Sequence, residues 1–327
     1  MLKKSIVIDI AFKGWVLEAM AKEAAESIGQ KANVFFIPTR KKDFMNVKSL
    51  IPFLRFYLER RFFKEVLFIN QNTYFYAILK NAIDTPLQYC EVLYTHYVET
   101  DLSRSQQAEL LGKLRKVFVF NSTIKEELVQ YGVPREIIQV IYGAINRKMY
   151  YPQVQHTKSK FANLPPYILV VGHCKSRKNP DLIVKVINEM KSHQFVIHGT
   201  GWNEYFTKNS LSALPNLKLF SFNLEDNPAF MRCASTYLSL STLEGGPFPT
   251  LEALASGTPV VVTDTGWNKE VVNMENGIVL PINVSVFTVV QAITKTLRLK
   301  NEVRNQDLLK GKYKWEDYGR YLFKDYN

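Results

Sequence analysis

The sequence predicts two doubly wound α/β domains, each a parallel sheet wrapped by helices. Short apolar runs alternate with helical stretches at βα spacing. That alternation breaks once, around residues 145–166, and then restarts. At 327 residues the chain has room for two such domains, each with its own core. The expected division is residues 1–150 and 151–311.

In the first half, strands are expected at Ser5–Ile10, Asn33–Ile37, Glu65–Asn70, Val92–His96, Lys116–Ser122 and Ile137–Gly143. Helices are expected between them at Trp15–Ser27, Leu50–Lys64, Tyr74–Asn81, Ser103–Leu114 and Thr123–Tyr131. The linker is Asn-Arg-Lys-Met-Tyr-Tyr-Pro152, a polar stretch, and Pro165-Pro166. The second series of strands runs Tyr167–Gly172, Gln194–Gly199, Leu217–Phe222, Thr236–Leu240, Pro259–Thr263 and Ile278–Leu280. Ligands of such sheets sit outside the carboxyl ends of the strands.

Hydrophobic residues make up 46% of the chain, as in a soluble globular protein. No uncharged apolar run approaches the roughly 20 residues that span a bilayer. The N-terminal apolar run is cut by Asp9 and Lys13, so it reads as a first strand rather than a signal peptide. Three widely spaced cysteines, Cys90, Cys174 and Cys233, fit free thiols in a reducing cytosol. The net charge of +12 is spread over both halves with no basic tail, which argues against nucleic acid as partner. It suits an anionic membrane surface or a phosphate-bearing acceptor.

Residues 48–65 bear on that choice. On a helical wheel Val47, Leu50, Leu54 and Leu58 share a face suited to packing on the sheet. Phe53, Phe56 and Phe63 lie roughly opposite, near Arg60 and Lys64. An aromatic stripe beside basic residues fits an interfacial membrane helix, and so a contact with an anionic membrane surface; a helix buried on two sides, or one that contacts a partner chain, would show the same pattern.

The richest segment is Ser-Thr-Leu-Glu-Gly-Gly-Pro-Phe-Pro-Thr-Leu-Glu-Ala-Leu-Ala-Ser-Gly-Thr-Pro-Val-Val-Val, residues 241–262. Glu244 precedes a Gly/Pro-rich loop (Gly245, Gly246, Phe248, Pro249), and a helix carrying Glu252 follows. Thr250 is placed to cap that helix and Ser256-Gly257 to end it. The loop then aims backbone N–H groups and the positive end of a helix dipole at one spot, an arrangement that holds a diphosphate. Glu252, in the expected first turn, would reach the hydroxyls of a ribose; Glu244 would face whatever lies beyond the phosphates.

This segment resembles the paired-glutamate signature of retaining glycosyltransferases of family 4, which have the GT-B fold of two Rossmann-like domains facing across a cleft. Tyr-Ile-Leu-Val-Val-Gly-His-Cys-Lys-Ser-Arg-Lys-Asn-Pro, residues 167–180, is a second point of resemblance. Family members read Gly-Arg and then Lys-Gly there, and use Arg and Lys to clamp the diphosphate. This chain keeps Gly172 and Lys178, but His173 replaces the arginine and Asn179 the glycine; either Arg177 or Lys175 substitutes, or the diphosphate is stabilised more weakly. Further matches are His96 at a strand end, Gly14 in the first loop, and the stretch Asp264–Glu270, where Trp267 replaces a glycine. The tail, residues 312–327, resembles the family helix that packs back on the first domain. The likeness is strong from Tyr167 to Leu280 and thin before Val92.

The resemblance implies transfer of a sugar from a nucleoside diphosphate donor, with retention, to a glycan or lipid-linked acceptor in cell-surface polysaccharide assembly. His96 and Glu244 would be catalytic. Gly14, Gly172, His173, Lys178, Gly245, Gly246, Phe248, Pro249, Thr250 and Glu252 would bind the donor. No Asp-X-Asp triplet, metal-spaced cluster, dinucleotide fingerprint or phosphate loop occurs, so neither a metal nor a cofactor is expected. The expected location is the cytoplasm or the inner membrane face. A nucleotide-binding scaffold without turnover is the alternative, motivated by His173 and the missing glycines.

Overall fold

The computed structural model describes residues 4–13, 16–40, 47–97, 102–152, 161, 163–209, 211, 214–303 and 306–323. The chain forms two compact units: Met1–Gly143 together with Lys314–Asn327, and Ala144–Tyr313.

The first unit is a six-stranded sheet of β1 (Lys4–Asp9), β2 (Asn33–Ile37), β3 (Glu65–Phe68), β4 (Cys90–Tyr94), β5 (Lys116–Val119) and β6 (Ile138–Val140). Its order is β2-β1-β3-β4-β5-β6, and every pairing is parallel. Val7, Phe68, Val92 and Val119 fill the core under helices such as Gln71–Leu79. Local chemistry sets the helix starts: Asn70 and Asn121 accept backbone N–H bonds, and Ser103 forms a capping box with Gln106.

The helix Val47–Glu59 is rotated from its expected phase. Phe56 is buried, and Phe63, just past the helix, packs against Phe35 with ring centroids 4.5 Å apart. Leu50, Leu54 and Leu58 face outward instead. Both faces are apolar, so periodicity could not choose between them; the aromatic face, with more area to bury, takes the core.

An ion cluster closes the amino-terminal edge of this sheet. Lys4 lies 2.7 Å from Glu91, and Arg115 contacts Glu91 at 2.8 Å and Glu65 at 2.9 Å. Lys4 also donates to the Leu322 carbonyl at 2.8 Å, which fastens the tail helix Trp315–Phe323 to this unit. That helix lies against Val16–Ser27 at Gly319, where a Cβ would meet the Ala24 carbonyl oxygen at 2.2 Å.

The second unit holds β7 (Tyr167–Val171), β8 (Gln194–His198), β9 (Leu217–Phe220), β10 (Thr236–Ser239), β11 (Val260–Thr263) and β12 (Gly277–Leu280). The parallel order β12-β11-β10-β7-β8-β9 sets its first and fourth strands side by side. The topological switch point of this sheet, where such folds bind ligands, therefore lies past the carboxyl ends of β7 and β10. Residues 144–150, expected in the first domain, group with this unit. Ile145 N–H bonds the Tyr313 carbonyl at 2.9 Å, and Tyr150 reaches Asn227 at 3.0 Å.

Candidate functional site

Two short loops converge at that switch point. After β7 the backbone turns through Gly172 (φ +124°), a conformation closed to most side chains. A one-turn helix, Ser176–Lys178, then ends at Asn179 with φ 55° and ψ 53°. This left-handed residue explains the glycine expected at 179: asparagine is the residue other than glycine that visits this region most readily. Pro180 then opens the helix Pro180–Glu189.

Lys178 returns past Gly172 to the loop after β10, where its Nζ lies 2.5 Å from Glu244 Oε1. Arg177 Nη1 takes the other oxygen at 2.7 Å and also donates to the Leu243 carbonyl at 3.0 Å. The Thr242 N–H, bonded to the Arg177 carbonyl at 2.7 Å, ties the two loops together. Burial alone would raise the Glu244 carboxyl, but Lys178 and Arg177 outweigh it and hold it below the ordinary carboxylate range. Two cations thus meet one carboxylate, leaving net positive charge at the switch point.

His173 stands apart from this cluster. Its Nδ1 lies 2.6 Å from the Thr200 hydroxyl, and its ring covers Gly201, where a Cβ would fall 2.9 Å from Cε1. Arg177, not His173, brings a guanidinium to Glu244.

The helix following Glu244 spans Phe248–Ala255 and departs from expectation in three ways. Thr250 does not cap it: its hydroxyl is buried and donates to Asn268 Oδ1 at 3.0 Å. The Phe248 and Thr250 N–H groups are bonded to the Gly246 and Pro247 carbonyls, both at 3.0 Å, and Pro247 and Pro249 have no N–H. Glu252 lies one residue beyond the first turn. The end is as expected, with Ser256 as C-cap and Gly257 at φ +71°. Gly246 rests on the buried ring of Trp267, where a Cβ would fall 2.2 Å from Cζ3.

Glu252 is held by residues that carried no signal in the sequence. Asn227 Nδ2 donates to its Oε2 at 3.0 Å and to the Tyr150 hydroxyl at 3.0 Å, and Tyr150 also bonds the carboxyl. Behind them the Asn223 N–H donates to His198 Nε2 at 3.0 Å, so His198 carries its proton on Nδ1, facing Asn227 Oδ1 at 3.2 Å. Burial lowers the His198 pKa, in keeping with a neutral ring. Phe222, its outer face exposed, stacks on that ring. Burial pushes the Glu252 carboxyl up to about 7, against the hydrogen bonds from Tyr150 and Asn227 that favour its ionised form.

Gly172, Lys178, Glu244, Gly245, Gly246, Phe248, Pro249, Thr250 and Glu252 thus lie in the segments that follow β7 and β10, including the helix Phe248–Ala255. His96 belongs to the first unit, two residues past β4. Its Nδ1 lies 3.0 Å from the Thr95 hydroxyl, and its carbonyl accepts from the buried Gln71 at 2.7 Å. Gly14 lies outside the described residues. Among the described residues no three His, Cys, Asp or Glu side chains are grouped to hold a metal ion.

The second unit is thus a parallel α/β domain with a cationic cluster and a buried carboxylate at its switch point, the place where such sheets bind their ligands. Residues 153–313, which lie in the second unit apart from the stretch outside the described residues, match the family described as Glycosyl transferases group 1. The chain is similar to the "Putative glycosyltransferase YtcC" of Bacillus subtilis (strain 168), with 24% identity over 205 residues that cover 55% of this chain and 50% of YtcC. It therefore spans about half the length of the curated relative it matches. Among solved structures, sucrose-phosphate synthase from Thermosynechococcus elongatus superposes with a TM-score of 0.75 at 14% identity, over 98% of this chain and 97% of that one. Anabaena HepE, in complex with UDP and glucose, superposes with a TM-score of 0.73 at 14% identity, over 98% of each chain. The fold is that of GT-B glycosyltransferases.

Proposed function

We propose that the protein is a retaining glycosyltransferase of family 4 that moves a sugar from a nucleoside diphosphate to a glycan or lipid-linked acceptor without a metal or cofactor. The observation that carries this is the pairing, at one switch point, of a Lys178–Arg177–Glu244 cluster with the Asn227- and Tyr150-bound Glu252. Glu252 accepts hydrogen bonds from the ribose hydroxyls. Lys178 and Arg177 move from Glu244 to the diphosphate, freeing that carboxylate for hydroxyls of the donor sugar. Their charge stabilises the phosphate oxygen as it leaves, and the positive end of the helix Phe248–Ala255 adds to it. In the transfer the bond from the anomeric carbon to phosphate breaks. The acceptor oxygen bonds that carbon on the same face, and its proton passes to the leaving phosphate. His96 lies near the donor sugar, a role that the family resemblance alone supports. The UDP held by HepE makes a uridine donor the first to test.

The test is thermal stabilisation by UDP, GDP, ADP and CMP. One of them raises Tm, and Glu252→Ala weakens its binding by about 1.5–3 kcal/mol, the worth of a hydrogen bond to a charged group. Glu244→Ala spares nucleotide affinity and abolishes transfer. No shift with any nucleotide would refute the donor site; a shift without transfer to any acceptor would favour the nucleotide-binding scaffold.

Proposed cellular placement is the cytoplasmic face of a membrane that presents the acceptor. Among the described residues no helix is long and apolar enough to cross one.

A further inference from the structure

Among the described residues of the first unit, the most exposed apolar surface is the outward face of Val47–Glu59 and the turn after it. Ile51 is 75% exposed, Leu58 61% and Phe62 69%, and Leu50, Leu54 and Tyr57 lie on the same side. Residues spaced by three and four along a helix make one continuous strip, so this is a patch rather than scattered exposure. The opposite face is committed to the core through Phe56, so rotating the helix cannot hide the strip.

Charge borders it. From residue 47 to 64 the chain carries Lys48, Arg55, Arg60, Arg61 and Lys64 against one acid, Glu59. Arg55 is paired with Glu59 and Arg60 with Asp84, whereas Arg61 and Lys64 are exposed beside the apolar strip. Arg61 lies over the Phe62 ring at 4.9 Å, a cation and an apolar side chain presented together. A second copy of this chain, also +12, would bring like charge against like; an anionic lipid surface brings the opposite sign to the cations and acyl chains to the leucines.

We infer that the face formed by Leu50, Ile51, Leu54, Tyr57, Leu58 and Phe62, with Arg61 and Lys64 at its border, docks the protein on the surface of an anionic membrane. The helix lies in the interface with its aliphatic side among the upper acyl chains, while Phe56, one of the phenylalanines expected to insert, stays in the protein core and Phe63 packs against it. This inference depends on the membrane placement proposed above, not on the donor chemistry.

Vesicles of phosphatidylcholine alone and mixed with phosphatidylglycerol provide the test, by co-sedimentation at low and high salt. The protein partitions onto the mixed vesicles, and salt weakens the binding. Ile51→Ser with Leu58→Ser lowers the partition about ten-fold or more, since each buried CH₂ contributes about 0.8 kcal/mol. Arg61→Gln with Lys64→Gln lowers it about thirty-fold on the mixed vesicles, at about 1 kcal/mol per cation, and flattens the salt dependence. All four positions are exposed, so Tm and any nucleotide-induced shift stay as in the wild type, which keeps this result separate from the donor site. Equal binding by the variants, or equal binding to both vesicles, overturns the inference. So does a wild-type dimer in analytical ultracentrifugation that the serine variant dissociates, because the face would then belong to a second copy.

Discussion

Two carboxylates eight residues apart have been given opposite electrostatic settings. Glu244 meets two cations and stays ionised, whereas Glu252 is enclosed by neutral partners and rises to about 7. The consequence for stability has a definite sign. Between about pH 4.5 and about 7 the folded protein retains a proton on Glu252 that the unfolded chain has released. Stability from this group therefore falls as pH rises through that window and levels off above it. Glu252→Gln removes this slope, as Tm measured against pH would show. If the carboxylate reads the ribose, wild-type nucleotide affinity also climbs from about pH 6 to about pH 8. Both glutamates were legible in the sequence because a Gly/Pro loop brackets them. Tyr150, Asn227 and His198 were not: each is ordinary in its local context, and only folding brings them together.

At the scale of elements, the loop from Gly245 to the start of the helix Phe248–Ala255 is shaped by what lies beneath it. The Trp267 ring occupies the space a Cβ at residue 246 would need, and Phe248 meets the same ring edge-on at 5.2 Å. Gly246→Ala should therefore cost about 1–3 kcal/mol as an overpacking change and displace the helix start. The smaller ring of Trp267→Phe should recover part of that loss; a double-mutant cycle in thermal denaturation measures the coupling. Trp267, read from the sequence as a departure from the family glycine, is thus a reason that Gly246 is glycine. The strands were legible to within a few residues because each is a short apolar run between turn residues. The phase of Val47–Glu59 was not, because both its faces are apolar and only the rest of the core decides between them.

Over the whole molecule, the two units differ in how the chain completes them. The second is continuous from Ala144 to Tyr313; the first needs the tail helix as well. Gly319→Leu would force a side chain into the Ala24 carbonyl and release that helix, leaving Lys4 without the Leu322 carbonyl. The first unit should then melt earlier, while the nucleotide-induced shift of the second persists, so calorimetry with and without nucleotide separates the two transitions. The alternation of strands and helices made the two-unit plan legible from the sequence. Its boundary was misplaced by a few residues because Tyr150 and Ile145, which look like linker, are held by Asn227 and Tyr313.

The Lys4–Leu322 bond also orders events at the ribosome. Synthesis runs from the amino terminus, yet the first sheet cannot close its buried lysine onto the tail helix until residue 322 has been made. The second unit, whose chain is continuous, has all its residues earlier. The half that is translated first is therefore the half that matures last, and in the interval its Val16–Ser27 helix stands without the partner that covers it.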